Sequence, residues 1–318
     1  MSLSLGAEGI SYLEPHHWET TLSYRYLHAQ KVFIGSQYRP EYEAGNANPD
    51  ITVHSVDLAA TYAVSKRFSL SLTLPFVYGD VTVISNRLHN TVAGIGDLRL
   101  VGNIWLLDPS KHSNGNISFG LGMKAPTGES KGTDTVLING VETVRPADTS
   151  IQPGDGGWGV VLEMQAFQKI VQHTYLYASG FYLINSREKN DTQFTTDPSV
   201  LLSVPDQYQG RLGLSYTIWP QKGISLSLGA RVDGLPVRDL IGGADDGFRR
   251  PGYSVYIDPG ISWSWGKNLL SLNGPVAVAR SRQRSIRDIQ ASERTGNYVH
   301  GAGGIADFIL VASYSRRF

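Results

Sequence analysis

The sequence predicts an all-β chain that forms a transmembrane, antiparallel, up-and-down β-barrel of about 12 strands. Apolar and polar residues alternate with a period of two along most of the chain, which is the pattern of strands with one face in an apolar environment. The connections between the alternating segments are short and long in turn, as in membrane barrels. Aromatic residues gather at the segment ends, where such a barrel meets the lipid headgroups.

The composition disfavours several other classes of protein. Of the 318 residues, 41% are hydrophobic and 18% are charged, compared with about 25% charged residues in soluble domains. The 28 basic and 28 acidic residues cancel, so we expect no nucleic-acid partner held by bulk electrostatics. Cysteine is absent, which excludes a disulfide framework and a thiolate metal site, and we expect no cofactor. No run of about 18 apolar residues predicts a membrane helix.

The first six segments alternate with few exceptions. From residue 18 to residue 26, one parity is apolar or aromatic and the other contains Glu19 and Arg25. The apolar parity would face lipid and the polar parity would face the lumen. The six apolar sets, each taken at every second residue, span 18–26, 56–62, 68–76, 98–106, 117–123 and 158–164.

The second half of the chain continues the pattern. In the seventh segment we expect Tyr175, Tyr177, Phe181 and Leu183 to face lipid. The remaining five apolar sets bring the total to 12 segments, each long enough for the ~9–11 tilted residues that cross a bilayer. They span 212–216, 224–232, 255–263, 270–278 and 308–314.

The connections predict the orientation. Outer-membrane barrels have short periplasmic turns and long extracellular loops, and an even strand count then places both termini in the periplasm. The short connections fall near 65–67, 108–115, 168–173, 219–223 and 266–268. The long connections fall near 29–50, 79–95, 127–156, 185–206, 236–252 and 281–304.

A soluble β-sandwich would also alternate, so the membrane assignment needs further support. The apolar parity carries no charge in mid-segment, where a lipid-facing Arg or Lys would cost about 2–4 kcal/mol. Aromatic residues lie at both ends of that parity, which a sandwich core does not require. The chain also ends in "ASYSRRF", and Phe318 resembles the terminal aromatic assembly signal read by the barrel-assembly machinery, although Arg316 departs from that pattern. We therefore expect the bacterial outer membrane and its lipids as the environment.

The polar parity supplies the predicted lumen lining. Two interpretations stay open for its charges: they pair across the lumen and stabilise the wall, or they set up a transverse field that orients polar solutes. Twelve strands lie between the filled eight-strand barrel and the open sixteen-strand pore, so size alone does not decide. The candidate solute path consists of Glu19, Arg25, Asp57, Asp97, Arg99, Lys124, Glu163, Arg211, Arg231, Asp233 and Asp258.

Two domains of very different size follow from this pattern. Residues 1–16 form an N-terminal tail that hangs free or enters the lumen as a plug, and residues 17–318 form the barrel. The first residues lack the basic start and apolar stretch of an export signal, so we expect a mature form behind an added Met1.

One long loop contains a cluster of charges that would clamp or gate the mouth, bracketed by turn-forming Pro and Gly residues. Its members are Arg238, Asp239, Asp245, Asp246, Arg249 and Arg250. Asp148 and Asp155 near "PGDGG" offer oxygen ligands for calcium, but their spacing matches no calcium loop and a plain turn explains them as well. We expect no metal site.

Several loop motifs carry a family resemblance. "GIGDLRL" (94–100), "KAPTGESKG" (124–132), "IQPGDGGWG" (151–159) and "DGLPVRDLIGGADDGFRRPGYSVYIDPG" (233–260) precede "AGGIADFILVASYSRRF" at the end. Together they resemble the outer-membrane transporter barrels associated with the meta-pathway of phenol degradation, over about residues 18–318. The resemblance implies a membrane barrel encoded near operons that degrade aromatic compounds, and it brings no catalytic or binding residues.

The leading functional hypothesis is therefore passive diffusion of small solutes, including aromatic compounds. A lipid-modifying enzyme is one alternative, since some 12-strand barrels need only a Ser and a His on the lipid face. His54 is the one candidate for that role, and no Ser or Asn partner is evident, so we expect no catalytic residue. A structural barrel whose loops bind a partner is the other alternative. The sequence does not indicate an oligomeric state.

Overall fold

The computed structural model describes residues 12–85, 88–138, 141–194, 197–242 and 246–318. The elements of the first half are β1 (Trp18–Ala29), β2 (Val32–Ile34), β3 (Gln37–Tyr38), α1 (Glu41–Ala44), β4 (Asp50–Ala63), β5 (Phe68–Val83), β6 (Leu88–Ile95), β7 (Leu98–Trp105), β8 (Gly115–Ala125), β9 (Thr133–Ile138) and β10 (Val141–Pro146). Those of the second half are β11 (Gly159–Val171), β12 (Thr174–Asn185), β13 (Lys189–Phe194), β14 (Asp197–Ser203), β15 (Gln207–Trp219), a 3-10 helix (Pro220–Lys222), β16 (Ile224–Leu235), β17 (Gly252–Trp265), β18 (Asn268–Asn273), β19 (Val276–Arg282), α2 (Ile286–Thr295), β20 (Gly303–Gly304) and β21 (Phe308–Arg317).

The strands close into one antiparallel barrel. The order around the wall is β1, β4, β5, β7, β8, β11, β12, β15, β16, β17, β18 and β21. The last strand pairs with the first, from Glu19 opposite Arg317 to His28 opposite Phe308. Since β6 continues the position of β7 and β19 continues that of β18, the wall has 12 strand positions. The predicted fold is confirmed.

Two of the 12 strands are interrupted where the chain must bend. Gly96 and Asp97 separate β6 from β7, and a Cβ on Gly96 would approach Pro75 to 3.0 Å. Gly274 and Pro275 separate β18 from β19, and Pro275 has no N–H to donate to a neighbouring strand. Both breaks lie beside long loops that pack against the interrupted strand.

The outer surface of the barrel is apolar. Large side chains on the predicted lipid face are widely exposed, for example Leu121 at 64% and Leu228 at 59%. A continuous belt of this kind is incompatible with a water-facing surface and is typical of strands in contact with lipid. The chain is therefore a barrel of the bacterial outer membrane.

The two ends of the barrel differ. We call the end that holds both termini and the short connections the turn end, and the opposite end the loop end. The connections at the turn end are 64–67, 106–114, 172–173, 220–223 and 266–267. The loop end has five long connections, but the predicted loop 79–95 is wrong, because β5 and β6 extend as a paired hairpin through most of it. The periplasmic location of the turn end stays a prediction.

The prediction for the seventh segment is also wrong. On β12, Phe181 pairs with Glu163 on one side and with Gln209 on the other, both of which face the lumen. Cross-strand partners share a face, so Tyr175, Tyr177, Phe181 and Leu183 point inward. Leu176, on the opposite parity, is exposed toward lipid. Both parities of this strand are largely apolar, so only its pairing with neighbours could assign the faces.

The tail is described in part. Residues 12–17 lead into β1, and the His16 amide donates to the Ala63 carbonyl at 2.7 Å. Residues 1–11 lie outside the described residues, so the choice between a free tail and a plug stays open. Neither α-helix in the described part of the chain is long and apolar enough to cross a membrane.

Two facing glycines allow a lumenal tyrosine to lie flat on the wall. A Cβ on Gly229 would come 2.7 Å from the Tyr177 hydroxyl and 2.6 Å from the Leu212 carbonyl oxygen. We therefore predict that Gly229→Val lowers the free energy of unfolding by about 1–3 kcal/mol through overpacking. The urea midpoint of the refolded protein measures this loss of stability. Gly274→Ala, which would meet no atom within 4 Å, is the control, and equal midpoints for both variants would contradict the packing.

Candidate functional site

The middle of the lumen contains a group of charged side chains from neighbouring wall strands. Arg25 on β1 donates through Nη2 to the Ser55 hydroxyl at 3.2 Å. Asp57 on β4 lies 3.8 Å from a guanidinium nitrogen of Arg99 on β7. Arg25 is exposed, and the side chains of Asp57 and Arg99 keep 35% and 33% of their accessible surface. Because all three point inward, this exposed surface faces the lumen.

Arg211 and Arg231 are held differently, each by a carboxylate of its own. Arg211 binds Asp258 with contacts of 2.7 and 2.6 Å, and Asn273 donates to the same carboxylate at 3.3 Å. Arg231 binds Asp233 through three hydrogen bonds of 2.8–3.0 Å. The Arg211 and Arg231 side chains are only 9% and 7% exposed. These pairs stabilise the wall, in line with the first of the two interpretations of the lumenal charges.

Glu163 and Glu19 complete the lumenal acids. Glu163 on β11 reaches over Gly120 toward Asn103, and one oxygen of each side chain has no hydrogen-bond partner among the described residues. Glu19 lies at the turn end, where its carboxylate accepts a hydrogen bond from Arg317 at 2.8 Å.

The turn-end half of the lumen is lined by hydroxyl groups. Inward-facing Ser and Thr residues bind one another across neighbouring strands at 2.7–3.0 Å. Such pairs satisfy each other and still present oxygen atoms to water. The pairs are Thr21 with Ser315, Thr61 with Ser71, Thr217 with Ser225 and Ser271 with Ser313.

The loop-end half is partly covered by one loop, and an aliphatic cluster lies on one side of it. Residues 147–157, which we call the lid segment, fold against the inner wall. Ile151 is completely buried, and its side chain occupies the space that a Cβ on Gly79 would need. The cluster beneath the lid consists of Ala29, Ile51, Val53, Val81, Val92, Ala147 and Ile151. Aliphatic contacts therefore hold the lid segment against this side of the inner wall.

A buried charge triad anchors one end of the lid segment. Lys124, at the end of β8, binds Asp155 and lies 3.5 Å from Asp97. Asp97 also accepts hydrogen bonds from the amides of Gly128 at 2.9 Å and Asp155 at 3.2 Å. Burial raises the pKa of the Asp155 carboxyl even with Lys124 beside it. Lys124 and Asp97, predicted as part of the solute path, are instead buried at the base of the lid.

The other end of the lid segment is tied to the loop between β16 and β17. Asp148 and Arg250 form a two-point ion pair of 2.8 and 2.7 Å. Burial alone would raise the pKa of Asp148, but the Arg250 guanidinium and the Ser150 hydrogen bonds hold this pKa well below its usual range. Asp148 in turn raises the pKa of Arg250.

The loop between β16 and β17 is also bound to the loop between β12 and β15. Arg249 binds Asp239 at 2.8 and 2.6 Å, and Asp239 accepts a hydrogen bond from the Asp206 amide at 2.8 Å. The fully buried Asp206 carboxylate accepts from the amides of Asn185 and Leu240. Sequence reasoning missed Asp206, and its position between Pro205 and a strand is only a general turn signal.

The remaining residues of the predicted clamp lie in this loop as well. Asp246 binds Lys189 at 2.8 Å, a contact that lowers the pKa of Asp246. Arg238 is exposed, and Asp245 lies outside the described residues. The structure thus brings together Asp239 with Arg249, and Arg250 with the lid. A gating role for these contacts stays a prediction.

The other candidates lie on the outer surface or at its edge. The His54 ring is hydrogen-bonded to the Tyr24 hydroxyl at 2.8 Å and lies at a tilted angle beside the rings of Tyr26 and Tyr78. Phe318 is 51% exposed beside β1, where its amide donates to the Trp18 carbonyl. In the described part of the chain, no group of three or more His, Cys, Asp or Glu residues could hold a metal ion.

The Asp148–Arg250 pair should make the closed mouth sensitive to acid. A carboxyl whose folded pKa is depressed stabilises the fold above its unfolded pKa of about 4, and this contribution is lost as the pH falls through the folded value. We predict that Asp148→Asn loses about 2 kcal/mol at neutral pH and shows a weaker decline in stability below about pH 4. Urea midpoints across that pH range measure it. The control is Glu293→Gln, at an exposed position on α2. A parallel pH response in wild type and Asp148→Asn would contradict the role of the pair.

Comparison with known proteins agrees with the fold. No protein-family model matches the sequence, and no curated protein matches it. Among solved structures, the chain is similar to an outer-membrane channel from Pseudomonas putida F1, with 14% identity, 100% of each chain covered and a TM-score of 0.66. It is also similar to the β domain of the Bordetella autotransporter BrkA, with 12% identity, 95% of this chain and 100% of that chain covered, and a TM-score of 0.50. At these identities the similarity establishes a shared outer-membrane barrel fold.

Proposed function

We propose that this protein is an outer-membrane channel for the passive diffusion of small solutes. The observation that carries the proposal is the water-exposed group of Arg25, Asp57 and Arg99 inside a closed wall. A barrel with a solid core would bury such charges as tight pairs, as it does for Arg211 and Asp258. The hydroxyl-lined half of the lumen extends this polar passage to the turn end.

The covered loop end makes this a gated channel rather than a permanently wide pore. A solute that passes the mid-lumen charges meets the aliphatic cluster beneath the lid segment. Passage therefore requires the lid to move, and the contacts that oppose this movement are the Asp148–Arg250 pair and the Lys124 triad. Transport down a gradient needs no energy input beyond these local openings.

The resemblance to transporter barrels of phenol degradation supports aromatic compounds as solutes. Movement of the lid segment would uncover the aliphatic cluster at the loop end, and an aromatic ring could then contact it. The Pseudomonas putida relative of similar fold is itself described as an outer-membrane channel, which supports the same class of function. Neither the lipid-modifying enzyme nor the partner-binding barrel receives comparable support. His54 is hydrogen-bonded to Tyr24, whereas a lipid-modifying enzyme would need a Ser nucleophile in the place of Tyr24.

Planar-bilayer recording tests the proposal. We predict stable current steps for the refolded wild-type protein and, for the double variant Asp148→Asn with Arg250→Gln, an open probability at least about twofold higher, because the lid loses one of its ties. Asp108→Asn, in an exposed turn remote from the lid, should behave as wild type.

A folded wild-type barrel that carries no current would overturn the channel proposal. A conducting barrel whose open probability is the same with and without the Asp148–Arg250 pair would leave the channel in place but remove the gating role of the lid. Heat-dependent gel migration shows that each variant is folded before it is recorded.

A further inference from the structure

We propose that Arg25 and Arg99 form an anion-binding site in the lumen, which makes the channel prefer small solutes that carry a carboxylate group. The inference rests on the proposed channel function and adds the chemical class of its solutes. It follows from how the lumenal charges are shared, from which of them touch water, and from the donors that remain.

The lumenal charges are not evenly neutralised. Arg211 and Arg231 each have a carboxylate within 2.6–2.8 Å. Asp57 lies between Arg25 and Arg99 on the wall, and its closest contact with Arg99 is 3.8 Å, which is longer than a hydrogen bond. The other carboxylate that acts on Arg25 is Asp233, and it is already bound to Arg231. Two guanidinium groups therefore share one carboxylate, and this part of the lumen has an excess of one positive charge.

The two arginines that carry the excess positive charge are also the ones accessible from the lumen. Arg25 is exposed and the Arg99 side chain is 33% exposed, while the Arg211 and Arg231 side chains are nearly buried. A solute in the lumen thus meets Arg25 and Arg99 first. The tightly paired arginines have little surface left to offer it.

The donors that remain fit a carboxylate. Each guanidinium has five N–H donors in a planar fork that matches two carboxylate oxygens. Among the described residues, Arg25 donates one hydrogen bond, to Ser55, and Arg99 makes only the long contact with Asp57. In a confined lumen surrounded by a low-dielectric wall, the attraction between such a fork and an anion is stronger than in bulk water.

A negatively charged side chain lies on another part of the wall. Glu163 is on β11, two strands beyond the β7 strand that holds Arg99, and has an oxygen without a partner among the described residues. Separated charges of opposite sign produce the transverse field that was one interpretation of the sequence. The accessible guanidinium side of that field would hold the carboxylate of a solute and leave its apolar part toward the aliphatic cluster.

Reversal potentials in a KCl gradient test the site. For the wild-type protein in a planar bilayer we expect a chloride-to-potassium permeability ratio above one. In the double variant Arg25→Gln with Arg99→Gln this ratio should fall at least about threefold. Sodium acetate, as a carboxylate probe, should reduce chloride current at a lower concentration in wild type than in this variant.

Three matched variants separate a binding site from general effects of charge. Arg25→Lys with Arg99→Lys keeps the charge and should keep the chloride preference, but it should require more acetate for the same block because the planar forks are lost. Glu163→Gln should preserve or increase the preference. Arg317→Gln, at the turn end in its pair with Glu19, should change the ratio less than the double variant does.

The outcomes distinguish the inference from the function beneath it. A wild-type channel that conducts without anion preference, or whose preference survives in a folded Arg25→Gln and Arg99→Gln variant, would overturn the anion site and leave the channel proposal intact. A folded wild-type barrel without current would overturn both. Loss of preference in the Gln variant with retention in the Lys variant would support the site.

Discussion

Closure of the backbone hydrogen-bond network is the constraint on which the rest of the structure depends. In hydrocarbon an unpaired N–H or C=O group costs several kcal/mol, so the sheet must have no edge. Ten registered residue pairs between β1 and β21 provide this closure. The two interrupted strands remain compatible with it because their breaks lie toward the loop end, where loops pack against β6 and β19 and take the place of neighbouring strands.

Closure also gives every strand one face toward lipid and one face toward the lumen. The outward parity must be apolar, and the inward parity can hold charges only if they are paired or hydrated. The lumen contains charges of both kinds, paired and hydrated. Asp258 is fully buried and bound by Arg211, whereas Arg25 keeps contact with water. The lid segment adds a third environment, an aliphatic contact with the inner wall and an ion pair at each end. A charged middle thus lies beneath a lid segment that ion pairs hold at both ends.

The barrel could be predicted from the sequence because alternation is a local property. The predictions were wrong where the direction of a side chain depends on the neighbouring strands. Both parities of β12 are apolar, so the inward direction of Phe181 follows only from its pairing with Glu163 and Gln209. The lumenal charges were recognised as inward, but the burial of Lys124 beneath Asp155 depends on a loop that folds back from 31 residues further along the chain. The Asp148–Arg250 pair spans 102 residues, a distance over which no motif spacing is informative.

The central claim is a hydrated lumen behind a lipid-facing wall, and thiol labelling tests it most directly because the chain contains no cysteine. On β4, Ala59 shares the inward face of Asp57, while Leu58 faces outward and is 50% exposed. In proteoliposomes the account predicts that Ala59→Cys reacts rapidly with a charged, membrane-impermeant thiol reagent and that Leu58→Cys does not. An Ala59→Cys barrel that is folded but unreactive would show a solid core and contradict the account.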